Sequence, residues 1–91
     1  MGTVTLEIPR FLKHLAEGAS LFSVKGTTVG ECLEDFVRQL PSARNLLFDP
    51  EGKLLGHIDL FVNGVSAFPE ELTRRVQQGD AITMLYLING G

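Results

Sequence analysis

Between Thr28 and Pro41 the apolar residues Val29, Leu33, Phe36, Val37 and Leu40 recur at spacings of three and four. That period lays them along one stripe of a helix. Glu31, Glu34, Asp35 and Arg38 fall on the opposite side. Thr28 followed by Glu31 reads as a capping box, the hydroxyl and the carboxylate each satisfying a backbone N–H at the helix start. Pro41 stops the helix. The stripe must bury against something, and the rest of the chain offers strands.

Residues 3–8 alternate strictly, with Val4, Leu6 and Ile8 apolar and Thr3, Thr5 and Glu7 polar. That is the period of a half-buried strand, and Pro9 limits its continuation. Residues 10–20 fit no single pattern and close on the turn-prone Glu17-Gly18-Ala19-Ser20. Residues 21–24 read as a second strand, antiparallel to the first. Leu46-Leu47-Phe48 reads as a short packed turn and Asp49-Pro50-Glu51-Gly52 as a loop. Residues 58–62 form a third strand with Ile58, Leu60 and Val62 on one face. Asn63-Gly64 is the strongest turn signal in the chain, with a short return strand expected over residues 65–68. Gln78-Gly79-Asp80 marks another turn. Residues 81–88 form the last strand. It is apolar at nearly every position after Thr83, which predicts a central strand covered on both faces. The predicted order is strand, strand, helix, strand, short strand, strand. This is an α+β chain with a mixed sheet packed on one main helix, a β-grasp arrangement.

Composition sets the scale. Ninety-one residues make one domain. Hydrophobic residues at 44% and charged residues at 21% place the chain among globular rather than disordered sequences. The 8 bases are scattered and outnumbered by 11 acids, for a net charge of −3, which argues against nucleic acid as a partner. No apolar run approaches the ~20 residues that span a bilayer, and no basic stretch leads into an apolar core at the N-terminus. Met1-Gly2 lacks the hydroxyl residue that a myristoylation motif wants at position 6, where Leu6 stands. The expectation is a cytoplasmic protein with no membrane partner.

Self-contained catalysis finds no support. The sequence has no phosphate loop, G-x-G-x-x-G, H-E-x-x-H or C-x-x-C motif. His14 and His57 lack ligand spacing and read as surface or loop histidines. The single cysteine, Cys32, excludes an intrachain disulfide and a multi-cysteine metal site. It lies beside the helix stripe with acidic neighbours, which fits a packed, inert thiol. Glu70-Glu71 and Arg74-Arg75 read as a solvated segment. No metal ligand set and no cofactor bound by this chain is expected.

The remaining feature is Gly90-Gly91, directly after an apolar strand. Two glycines at an end can simply fray. They also suit a carboxylate that must enter a narrow pocket, since neither carries a Cβ. Fully extended, residues 88–91 reach about 13–14 Å. The division that follows is a domain over residues 1–88 and a flexible Gly-Gly tail over residues 89–91.

Thr28-Val29-Gly30-Glu31-Cys32-Leu33, then Phe61-Val62-Asn63-Gly64, then Gln78-Gly79-Asp80-Ala81-Ile82, then Gly90-Gly91 together resemble the MoaD/ThiS family of ubiquitin-like sulfur carriers. The order and spacing of these pieces cover nearly the whole chain. The resemblance implies a ubiquitin-like β-grasp fold and a defined chemistry at Gly91, with Gly90 beside it. An E1-like adenylating enzyme converts the Gly91 carboxylate to an acyl-adenylate with ATP. Sulfur from a sulfurtransferase or persulfide donor then gives a thiocarboxylate, which is passed to a sulfur-accepting biosynthetic enzyme. ATP belongs to the activating partner. The resemblance also implies that the Ile82 and Met84 face of the last strand packs on the helix. Phe61, Leu85 and Leu87, followed by Ile88 and Asn89, are then the candidate partner-binding residues. Leu87-Ile88-Asn89 departs from the small residues that many members carry before the glycines, and leaves the subfamily open.

The acceptor pathway expected for such a carrier is molybdopterin, thiamin, cysteine or similar biosynthesis. Three other functions share the sequence features. A ubiquitin-like modifier would join Gly91 to target lysines. A small subunit of molybdopterin synthase would insert the tail into a larger catalytic subunit. A β-grasp interaction domain would carry no chemistry.

Overall fold

The computed structural model describes residues 3–87. Strand β1 (Val4–Glu7) leads through a helical turn, α1 (Arg10–Lys13), into β2 (Leu21–Val24). The main helix α2 spans Val29–Gln39. A 3-10 turn (Pro41–Ala43) and a short helix α3 (Arg44–Leu47) follow. Strand β3 (Ile58–Val62), strand β4 (Val65–Ser66), a 3-10 turn (Glu71–Thr73) and strand β5 (Ala81–Tyr86) complete the order. The sheet runs β2-β1-β5-β3-β4. The β1–β5 pair is parallel, and the other pairs are antiparallel. The mixed sheet on one main helix is the β-grasp arrangement that the alternating runs and the single stripe predict.

The helix forms where its signals lie. Thr28 Oγ1 accepts from the Glu31 N–H at 3.1 Å. The Glu31 carboxylate reaches one residue further back than a standard capping box requires, accepting from the Thr27 N–H at 2.7 Å and the Thr27 hydroxyl at 2.9 Å. Val29, Leu33, Phe36 and Val37 are buried along the predicted stripe, with Cys32 beside them. Against them lie Val4, Leu6, Val24, Leu60, Ile82 and Met84 from four strands. Gly30 faces the 3-10 turn, and a Cβ there would sit 2.8 Å from the Leu72 carbonyl oxygen. The glycine of the Thr28–Leu33 motif is therefore a close-packing residue.

Residues 10–20, which fit no sequence pattern, contribute α1 and bury Leu12 completely. The 46–48 turn is the end of α3, with Leu47 and Phe48 buried. The return strand is shorter than the expected 65–68, ending at Ser66, although Ala67 N–H still donates to the Leu60 carbonyl at 2.9 Å. The expectation for β5 needs one correction. The strand is central, but only one face is covered. Ile82 and Met84 are buried, while Leu85 is 42% exposed and Ala81 is exposed. Among the described residues no second layer covers the outer face of the sheet, and Leu85 there is exposed.

Candidate functional site

The site is built around β5, the strand that leads to the last described residue, Leu87. Its start is fixed by residues from two of the sequence motifs. Asn63 and Gly64 both have positive φ, 52° and 84°, as a tight hairpin turn with two left-handed residues demands. That turn holds Asn63 against the beginning of β5. Its Oδ1 accepts from the Ala81 N–H at 2.9 Å, and its Nδ2 donates to Asp80 Oδ1 at 3.0 Å. The Asn63 N–H donates to the Ala81 carbonyl at 2.8 Å. Asp80 Oδ2 in turn accepts from the Gln77 N–H at 2.9 Å. The Asn63-Gly64 and Gly79-Asp80 pieces, read separately as turns, form one clip across the sheet.

The Asn63 amide and the Gln77 N–H hold the Asp80 carboxyl below the usual carboxylate range. Thr27, through its N–H and hydroxyl, does the same for Glu31. Lowered carboxylate pKa values stabilise the fold above the unfolded value of about 4, and that contribution is lost as pH falls through the lower folded value. Thermal unfolding midpoints are therefore expected to hold from neutral pH to about pH 5 and to fall below pH 4. In Asp80→Ala the neutral-pH midpoint drops and the acid-side fall becomes shallower. An unchanged acid limb in that variant would remove the clip from the account.

The outer face carries the candidate partner-binding residues. Leu85 lies beside Asp59 on β3, and Phe61 lies opposite Thr83. Phe61 is half-buried, and Leu87 is 53% exposed. Phe68, 72% exposed, adds to the apolar surface. Beside Leu87 an open cleft of about 400 Å³ is lined by Leu54, Leu55 and Phe68, with Asp59 and Glu71 at its polar edge. The structure thus brings Leu85 and Leu87 to the surface on the side away from α2. Phe68 was not singled out in the sequence as a site residue; it stood there only as the end of the expected return strand over residues 65–68. Ile88, Asn89, Gly90 and Gly91 lie outside the described residues.

Cys32 is fully buried, and burial, with Asp35 and Glu31 adding, pushes its thiol up to about 11. It stays protonated at neutral pH and is no nucleophile. Among the described residues no group of three or more His, Cys, Asp or Glu side chains is placed to hold a metal. No helix among them is long and apolar enough to cross a membrane. His57 is a loop histidine, half-buried in the turn before β3, and packs edge-on against Tyr86 with ring centroids 4.6 Å apart.

Solved structures decide the family. A chain of the crystal structure of the Amycolatopsis orientalis BexX/CysO complex is 31% identical to this one, at a TM-score of 0.86. The match covers 97% of this chain and 99% of that one. The chain belongs to the ubiquitin-like β-grasp family of sulfur carriers and protein modifiers. Two further members of that family match over similar lengths. SAMP1 from Haloferax volcanii is 26% identical, covering 99% of this chain and 100% of its own, at a TM-score of 0.86. CysO from Mycobacterium tuberculosis is 28% identical, covering 93% and 99%, at a TM-score of 0.83. No protein-family model and no curated protein matches the sequence. The conclusion on the family agrees with the motif resemblance. In this member the Asn63, Asp80 and Gly30 motif residues build the β-grasp scaffold.

Proposed function

We propose that this chain is a sulfur carrier whose reactive group is the carboxylate of Gly91. The observation that carries this reading is the whole-length likeness to the chain from the BexX/CysO complex, in a sequence with Gly90-Gly91 at its last two positions.

In this reading the Gly91 carboxylate attacks the α-phosphorus of ATP in an E1-like enzyme, releasing pyrophosphate. The carboxylate is a poor electrophile, and the acyl-adenylate has a good leaving group. A persulfide on a sulfurtransferase or on the activating enzyme attacks the carbonyl carbon with its terminal sulfur and expels AMP. A second thiol then attacks the donor sulfur of the resulting acyl disulfide, supplying two electrons. The products are a thiocarboxylate at Gly91 and a disulfide on the donor protein. The thiocarboxylate sulfur goes to a biosynthetic acceptor. The residues over 1–88 serve as the docking body, and residues 89–91 as the arm.

Leu85, Leu87 and Phe61 form the centre of the docking face, with Ile88 and Asn89 entering the partner's pocket. A buried apolar anchor at the centre of an interface is commonly worth ≥ 2 kcal/mol. Leu85→Asp is therefore expected to raise the KM for the carrier in adenylation by at least about 30-fold, since ~1.4 kcal/mol is tenfold. Its thermal midpoint should fall only modestly, through the like charge of Asp59 opposite it on β3, because the side chain is already 42% exposed. An unchanged KM would move the docking face elsewhere.

The test of the carrier reading is intact-mass measurement after incubation with an activating enzyme, ATP and a sulfur source. The expected shift is one oxygen-to-sulfur exchange. No shift with any E1-like enzyme rejects the reading. The likeness to SAMP1, a small archaeal modifier protein, favours one alternative, in which a lysine amine consumes the same adenylate. Higher-mass conjugates in lysate that vanish on deletion of Gly91, with no thiocarboxylate formed, would establish that alternative.

A further inference from the structure

The two sides of β5 are supported unequally. On the β1 side the pairing stops at Glu7↔Thr83. Pro9, two residues beyond Glu7, has no N–H with which to continue a ladder. On the β3 side the pairing runs on to Ile58↔Tyr86. The Leu87 N–H then donates to the His57 carbonyl at 2.7 Å. Residues 84–87 therefore overhang β1 and have a strand partner on one side alone.

Aromatic rings brace the Tyr86 side chain where the β1 ladder has ended. Phe11, on α1, stacks on Tyr86 with centroids 3.9 Å apart and planes inclined by 38°. His57 meets the same ring at 4.6 Å and 85°, edge to face. Tyr86 is thus held between α1 and the segment that enters β3. Both contacts lie on the helix side of the sheet, away from Leu85. Such pairs add to what area burial contributes, and they brace a strand end that β1 no longer pairs.

We propose that Tyr86, gripped by Phe11 and His57, is a positioning residue for the chemistry at Gly91: it fixes the point from which residues 88–91 begin. This rests on the carrier reading above. Four residues span at most about 13–14 Å from Leu87. Displacing their base moves the volume that the carboxylate can reach relative to a docked partner. A misplacement of about 1 Å costs roughly 10²-fold in a positioned reaction. Docking through Phe61 and Leu85 uses the opposite face, and only its Leu87 end shares the displaced segment.

The experiment has two arms. In the first, amide hydrogen exchange compares the parent with Tyr86→Ala and Phe11→Ala. Exchange at Leu87 should accelerate in both variants, while amides of β1 and of residues 60–62 keep their protection. Unchanged exchange at Leu87 overturns the clamp whether or not the chain is a carrier. In the second arm, adenylation kinetics should show kcat lowered by about 10²-fold, with the KM for the carrier changed by far less. Tyr86→Phe should restore kcat, because the ring and not the hydroxyl makes the contacts. Accelerated exchange with an unchanged kcat overturns the positioning role. If Tyr86→Ala does not fold, Tyr86→Leu keeps the apolar bulk without the ring and carries both arms. A parent that no E1-like enzyme activates defeats the carrier reading and with it the positioning role, while the exchange arm still decides the clamp.

Discussion

Deleting Gly91 is expected to abolish activation while leaving the thermal midpoint of the protein where it was. The deletion preserves a terminal carboxylate, now on Gly90, and withdraws it by about 3.3–3.6 Å. Docking through Leu85 and Leu87 fixes the base of the arm, so the body cannot follow the shortened chain into the partner. Since roughly 1 Å of misplacement costs about 10²-fold, a gap three times larger puts the adenylate below detection by intact mass. Stability rests on other residues. The buried hydrophobics of the described chain run from Val4 to Met84, and the docking leucines are exposed. A melt of the deleted protein should therefore overlay that of the parent. Full activation after deletion would remove the Gly91 carboxylate from the mechanism. A large fall in midpoint would make the last residue part of the fold.

Local signals carried most of the architecture. The stripe from Val29 to Val37, the Thr28 cap and the Asn63-Gly64 turn depend on residues within a few positions of one another, and the structure places each as expected. Features made by distant residues were harder to read. Asn63 and Asp80 lie 17 positions apart, so their clip appeared in the sequence as two unrelated turns. Phe11 and His57 had no period to mark them, because each is placed by its contact with Tyr86 and not by its own element. The uninterrupted apolar run in β5 was misread as burial on both faces. Hydropathy does not distinguish an outward leucine from one covered by a second layer, and Leu85 is of the first kind. The exposure of Leu85 and Leu87 was legible only through the family resemblance, which assigned the Ile82 and Met84 side to the helix.

Phe36→Ala is expected to give the largest loss of stability of any single truncation. Phe36 is the largest fully buried side chain, on the centre of the α2 stripe. Its ring also meets Phe22 of β2 edge-on, at 4.9 Å between centroids. Truncating a buried phenylalanine removes its transfer free energy and leaves a cavity that the surroundings close only in part, at a cost of about 3–5 kcal/mol. A domain of this length has a total stability toward the lower end of about 5–15 kcal/mol. The substitution thus removes a large share of it, and urea unfolding should show a much lower midpoint with a similar slope. Leu33→Ala, one turn earlier on the same stripe, should lose about 2–5 kcal/mol. Leu85→Ala should lose far less, since its side chain is already partly in water. If the folded fraction of Phe36→Ala is examined alone, its kcat for activation should match the parent's, because the helix face takes no part in docking. A loss under about 1 kcal/mol, the size of an ordinary surface change, would mean that the helix–sheet core does not close around Phe36.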